Sequence, residues 1–421
     1  MQKAQVKSPW LWVPSLYFGQ AIPYVVVMTL SVIMYKDYGI SNTDIALYTS
    51  WLYLPWVIKP LWSPFVDMYG TKRSWIVNLQ LAIGVALAAA ALTTHMPAFF
   101  TVSLAVLWVM AFSSATHDIA ADGFYILSLK EHEQAAYVGV RSTFYRLATI
   151  VGGGMLAYLA GELSKSTGSV AVAWSTVMFV LSGLFLALCV YHKVALPRPA
   201  SDKPASSGAD PLREYFATFG AFFRKKDILL SLGFILTFRL GESQLLKLAI
   251  PFLKDPLAEG GLGLTTSQVG IAYGTVGIIA LTIGGLLGGF MISRFGLKRM
   301  LWPMVLATHL PDLVFVGLAT ALPQNFILIC ASLAVEQFGY GFGFTAMLMY
   351  MIMVVDGKHK TAHYAICTGF MALGMMVPGM VSGYIQEYLG YQHFFIYVCL
   401  MTIPAFLMAG LVKIDPAFGK K

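Results

Sequence analysis

Five residues able to carry charge or move protons fall between Ser113 and Arg146, in SSATHDIAADGFYILSLKEHEQAAYVGVRSTFYR. His117, Asp118 and Asp122 lie inside one strongly apolar segment, and Arg141 and Arg146 inside the next. A charge at membrane depth costs about 3 kcal/mol or more unless it is paired or faces water, so a chain that keeps five such residues together uses them. Asp118 and Asp122 are four apart and share a helix face. A hairpin folded near Glu131 brings Arg141 within reach of Asp122 or Asp118, and Arg146 to the depth of Asp118 and His117. Two readings stand: a static ladder of ion pairs that locks two helices, or a network that breaks and reforms as protons or substrate bind.

Other polar residues interrupt apolar stretches in the same way. Gln20 and Tyr24 share a helix face near the start of the chain, as ligand contacts or as an interhelical hydrogen bond. Lys59 stands among Pro55, Pro60 and Pro64 in LPWVIKPLWSPFVD, either snorkelling to an interface or pairing with an acid or a substrate. Arg239, Glu242, Gln244 and Lys247 form a second cluster, in which Arg239 and Glu242, three apart, are placed to neutralise each other. Glu336 and Gln337 precede the run FGYGFGF; Glu336 is either a buried acid or a carboxylate in water.

The elements that hold these residues are membrane helices. Hydrophobic residues make up 58% and charged residues 11% of 421, with a mean hydropathy of +0.71, beyond what a soluble core needs. Twelve stretches approach the roughly 20 apolar residues of a span: 9–34, 44–66, 75–94, 98–127, 136–161, 171–191, 228–253, 266–292, 299–321, 325–353, 362–386 and 391–413. The expected fold is all-α, with two six-helix halves. About 20 Lys and Arg fall in tails and loops on one side and about 3 on the other, which by the positive-inside rule places both termini in the cytoplasm. That asymmetry accounts for the net charge of +8, so basicity is no sign of nucleic acid. The N-terminus shows no cleavable signal pattern. Cys189, Cys330, Cys367 and Cys399 have no metal-ligand spacing and read as core residues. No metal or cofactor is expected.

An offset of 226 residues relates Gly70 to Gly296, Lys72 to Lys298, Arg73 to Arg299, and Ala120, Ile126 and Ala136 to Ala346, Ile352 and Ala362. This is a weak repeat of a six-span unit. With its loops DMYGTKR (Asp67, Gly70, Lys72, Arg73) and RFGLKR (Arg294, Gly296, Lys298, Arg299), the chain resembles the major facilitator superfamily. That family's loop motif is G-x-x-x-D-[RK]-x-G-[RK]-[RK]; here Ser63, Met68 and Thr71 depart from it. The resemblance implies that both loops gate conformational change, and that the first, fourth, seventh and tenth spans line a cavity.

Within that superfamily, YFGQAIPY, IKPLWSPFVD and HDIAADGF are similar to segments of the AmpG-type permeases, in which His117 stands where a glutamine is usual. Those proteins import anhydro-muropeptides with the proton gradient; related acetyl-CoA carriers share the motifs. The resemblance implies a bacterial inner-membrane, proton-coupled importer of an anionic peptidoglycan fragment, the alternative being the same fold carrying another organic anion or a small drug-like molecule; a monomer is expected. Asp118, Asp122, Glu336 and His117 are then proton-coupling candidates. Gln20, Tyr24, Lys59, Arg141, Arg146, Arg239, Glu242, Lys247 and Gln337 are substrate-binding candidates. No phosphate-binding nucleotide loop is present, so an ion or substrate gradient must supply the energy. A membrane receptor lacks the expected appended domains, and a membrane enzyme lacks a completed His-rich site.

The expected halves are residues 1–195 and 228–421, joined by a cytoplasmic linker at 196–227. Leu212, Tyr215, Phe216, Phe219, Phe222 and Phe223 recur at helical spacing there, as in an amphipathic helix lying on the membrane. Gly270, Gly274, Gly284 and Gly288 in the eighth span read as close-packing positions.

Overall fold

The computed structural model describes residues 8–204, 217, 219–355 and 360–419. It is helical, with no strand among the described residues. Large apolar side chains such as Ile327, Leu229 and Leu286 are exposed. In a chain this apolar they face lipid.

Among the described residues, ten helices are long and apolar enough to cross a membrane. The difference from twelve has two local causes. The expected second span is split into Asn42–Trp51 and Leu54–Met68, each too short alone. The break falls just before Pro55, which sits in the first turn of the second piece, where its missing N–H is harmless. The last two expected spans run together as His363–Leu411, with the turn between them made at Gly390, whose φ is 71°.

The chain divides into two compact units: Met1–Met34 with Ile58–Leu212, and Tyr35–Val57 with Arg213–Lys421. Residues 35–57, expected in the first half, therefore group with the second. A buried polar cluster holds them there. The Asp255 carboxylate accepts from Asn42 Nδ2 at 2.9 Å, from the Tyr391 hydroxyl and from the Lys36 ammonium. Lys254 pairs with Asp37 at 2.5 Å. Asn42 also donates to Gln386 at 2.9 Å.

In the first unit, the turn before the third span is built as the sequence motif requires. Gly70 has φ 82°, a conformation that favours glycine. Thr71 and Ser74 form a reciprocal capping box on the helix Lys72–Thr93. The remaining orphan donors are met from afar: Asp202 accepts from the Lys72 and Arg73 amides at 2.7 and 3.0 Å. Its negative charge also complements the positive end of the helix. Asp202→Ala is expected to lower stability by about 1 kcal/mol, seen as a lower melting temperature with unchanged helix content.

The corresponding turn in the second unit uses Gly296, with φ 81°, and Leu297 N–H donates to Phe418 O at 3.1 Å. Arg294 and Arg299 both lie against the Phe295 ring, and Lys298 is exposed. Arg73 donates to the Lys193 carbonyl, while Lys72 is buried, its stem over Gly123. The Asp67 side chain lies outside the described residues.

In the second unit, glycines bring the tenth span, Phe326–Val354, into backbone contact with its neighbours. A Cβ at Gly341 would stand 2.0 Å from Leu281 O on the eighth span; one at Gly343 would stand 2.3 Å from Met304 O on the ninth. Gly284, one of the eighth-span glycines, meets Phe338 O in the same way. Gly341→Ala is expected to cost about 3 kcal/mol through forced backbone separation, read as a loss of folded protein in detergent.

The linker differs from expectation. Leu212, Tyr215 and Phe216 lie outside the described residues. Phe222 is fully buried in an apolar cluster with Phe234, Phe238 and Tyr350, and Phe219 packs beside it. This part of the aromatic stripe finds protein core, so the expected membrane-facing side is not what Phe222 presents. All four cysteines are free, and only Cys367 is fully buried.

Candidate functional sites

Each unit carries a polar cluster, half-buried in the first and fully buried in the second. In the first unit the fourth span, Phe99–Ser128, presents Asp118 and Asp122 one turn apart, as their spacing requires. Arg141, on the helix Glu131–Ile150, pairs with Asp122 at 3.0 Å. Asp118 pairs with Lys59 at 3.6 Å. Of the two readings of Lys59, pairing is therefore the observed one. The Asp118–Lys59 side chains are 17% and 28% exposed and those of Asp122–Arg141 are 38% and 35% exposed, so both pairs stand between core and solvent.

Aromatic residues enclose this charge. The Tyr17 hydroxyl donates to Asp122 at 3.2 Å. The Arg141 guanidinium lies 4.4 Å from the Tyr17 ring and 5.6 Å from that of Tyr125. Tyr145 is within electrostatic reach of Asp118, Asp122, Tyr24 and Arg146. A planar cation stacked on rings, paired with a carboxylate it can exchange for another, suits carboxylate recognition. Gln20 is buried on the same unit, its carbonyl oxygen without a hydrogen bond.

His117 does not join this cluster. It points into a separate buried chain, with Nε2 at 3.2 Å from Gln80; Gln80 continues to His192 at 2.9 Å and His192 to Ser15 Oγ at 2.9 Å. One residue along a helix is a turn of about 100°, which carries His117 off the face of Asp118 and Asp122. Gln80, His192 and Ser15 were not singled out, because no local spacing links them.

The second unit gathers three carboxylates. Glu242, Asp312 and Glu336 are all fully buried, and one oxygen of each lies within 4.8 Å of the others. Gln337 Nε2 donates to Glu336 Oε2 at 2.9 Å. The expected pairing of Arg239 with Glu242 is only partly realised. Arg239 is within electrostatic reach of Glu242, but its guanidinium donates to the Tyr340 hydroxyl and lies 4.9 Å from the Phe344 ring.

Lys247 faces elsewhere, donating to Thr49 at 2.9 Å beside the Tyr53 ring. Asp312 was not among the residues expected at a site. Its signal was present in THLPD, a proline and an acid in the middle of the ninth span.

Interrupted helices, lipid-facing apolar surface and buried charge clusters define a polytopic membrane protein of the kind that moves solutes. The profile of the Major Facilitator Superfamily matches residues 15–243 and 243–421, and the chain belongs to that family. An uncharacterized protein of Haemophilus influenzae is 25% identical, over 93% of this chain and 91% of its own. The Anhydromuropeptide permease of Escherichia coli K12 is 24% identical, over 84% of this chain and 69% of its own. A crystal structure of a mutant of the nucleoside transporter NupG shares the fold with a TM-score of 0.72 at 17% identity, covering 95% of this chain and 99% of that one.

Proposed function

We propose that this protein is a secondary active transporter that imports anhydro-muropeptides, or a closely related anionic cell-wall fragment, in symport with protons. The observation that carries this reading is the fourth-span network, in which Asp118 and Asp122 hold Lys59 and Arg141 among tyrosines. The likeness along most of the chain to the Anhydromuropeptide permease supports it. A muropeptide offers carboxylates, which suit Arg141 and Lys59. Protonation of a carboxylate turns a costly charge into a tolerable neutral group, so Asp118 and Asp122 are suited to carry the coupled proton. Release of Lys59 or Arg141 by that proton would then free a cation for the substrate.

The protein sits in the bacterial inner membrane as a monomer with both termini in the cytoplasm, as its basic-residue asymmetry supports. The proton gradient drives it by alternating access, with the glycine turns at Gly70 and Gly296 as gate elements.

Ligand charge provides the test. Purified protein is expected to bind an anhydro-muropeptide at least about tenfold more tightly than the same molecule with its carboxylates amidated, a difference of about 1.4 kcal/mol. Arg141→Gln should erase that preference. Equal binding of the two ligands to the wild type would remove the anion reading.

A further inference from the structure

We infer that Glu242, Asp312 and Glu336 form a binding centre for a hard metal cation, Na+ or Ca2+, within the second unit. The inference is independent of the muropeptide reading.

Three features carry it. The first is ligand geometry. Oxygens bound to one ion at about 2.4 Å can be no more than about 4.8 Å apart, and the three carboxylate oxygens meet that limit. The donors are oxygen only, which selects hard cations over zinc or copper.

The second is a surplus of acceptors. Both oxygens of Glu242, both of Asp312 and Oε1 of Glu336 are buried and accept no hydrogen bond. His309, with its side chain 1% exposed, turns Nδ1 to within 4.0 Å of Asp312 Oδ2, and neither ring nitrogen is hydrogen-bonded. The other groups facing the centre are Arg239 toward Glu242, Tyr273 toward Glu336 and Glu242, Cys399 toward Asp312, and Gln337 on Glu336. Arg239 brings the single positive charge among these named groups. Set against three ionised carboxylates it leaves a formal excess of two negative charges, which two protons, one proton and one monovalent ion, or one divalent ion would each match. Buried charge left uncompensated at this depth is strongly unfavourable.

The third is the backbone. The seventh span is interrupted at Arg239, between Ile228–Phe238 and Leu240–Lys254, and Glu242 stands in the first turn after the break. The ninth span is interrupted by the 3-10 turn Leu310–Asp312, which carries Asp312 itself. The eighth is widened by a π segment at Ala272–Gly277, which carries Tyr273. Coupling-ion sites of transporters are typically built at discontinuous membrane helices. The glycines of the tenth span complete the arrangement, bringing Glu336 close enough to share an ion with the other two. The sequence shows no metal-ligand spacing because each ligand comes from a different span.

The test uses the purified full-length protein without muropeptide, at constant pH and at an ionic strength held constant with choline chloride. Replacing choline by Na+, or adding Ca2+, is expected to raise the melting temperature in a saturable way. Glu242→Gln, Asp312→Asn and Glu336→Gln keep the side-chain shapes and should lose that response. Direct binding of radioactive sodium or calcium to the wild type, close to one ion per chain and displaced by the unlabelled ion, would support the site even if a variant failed to fold. The inference is overturned if neither cation acts differently from choline. It is also overturned if the carboxamide variants respond like the wild type, or if acidification alone stabilises the protein and both metals add nothing.

Discussion

Asp118→Asn is expected to reduce gradient-driven uptake at least about tenfold, or about 1.4 kcal/mol, while ligand binding survives. The asparagine can still contact Lys59 but can neither take up nor release a proton. The lysine is left as a partly buried cation without its counter-charge, which by itself lowers stability. The second substitution that separates the two effects is Lys59→Met. If the pair is a static clamp, the double variant should recover both stability and uptake, because no uncompensated charge is left at the site. If the pair is part of the transport cycle, stability returns and uptake does not. The proton-coupled reading expects the second result, measured as melting temperature and accumulation in the same preparation.

The largest expected loss of stability comes from Asp255→Ala. Asp255 is 5% exposed and accepts from Lys36, Asn42 and Tyr391 at once. Removing it leaves the largely buried Lys36 ammonium with no counter-charge, only the Asn42 carbonyl oxygen, and takes the acceptor from the Tyr391 hydroxyl; breaking such a set costs about 3–5 kcal/mol. The melting temperature should fall accordingly, and proteolysis should newly reach residues 35–57, since these contacts fasten that segment to the second unit. Asp44→Ala, within the same segment but with its carboxylate hydrogen-bonded to the exposed Ser41, should leave both nearly unchanged. Equal effects of the two substitutions would count against the cluster as the fastening.

Much of this was legible in the sequence where it rested on local spacing. Asp118 and Asp122 share a face because they are four apart, and Arg141 reaches Asp122 because the hairpin turns near Glu131. The turns at Gly70 and Gly296 repeat because both must adopt positive φ. What was not legible depends on helices distant in sequence. His117 leaves the carboxylates because Gln80, across the bundle and itself held by His192, offers it a hydrogen bond. Residues 35–57 join the second unit because Asp255, Gln386 and Tyr391 supply their partners. The three carboxylates meet because glycine lets the spans approach, a fact that periodicity along one helix cannot express.

The central claim is most directly tested by uptake of radiolabelled anhydro-muropeptide into proteoliposomes holding the wild-type protein, with and without an inward proton gradient. Accumulation above equilibrium that appears with the gradient and collapses with a protonophore is the predicted result. The same slow entry with and without the gradient, or none above protein-free vesicles, would contradict it.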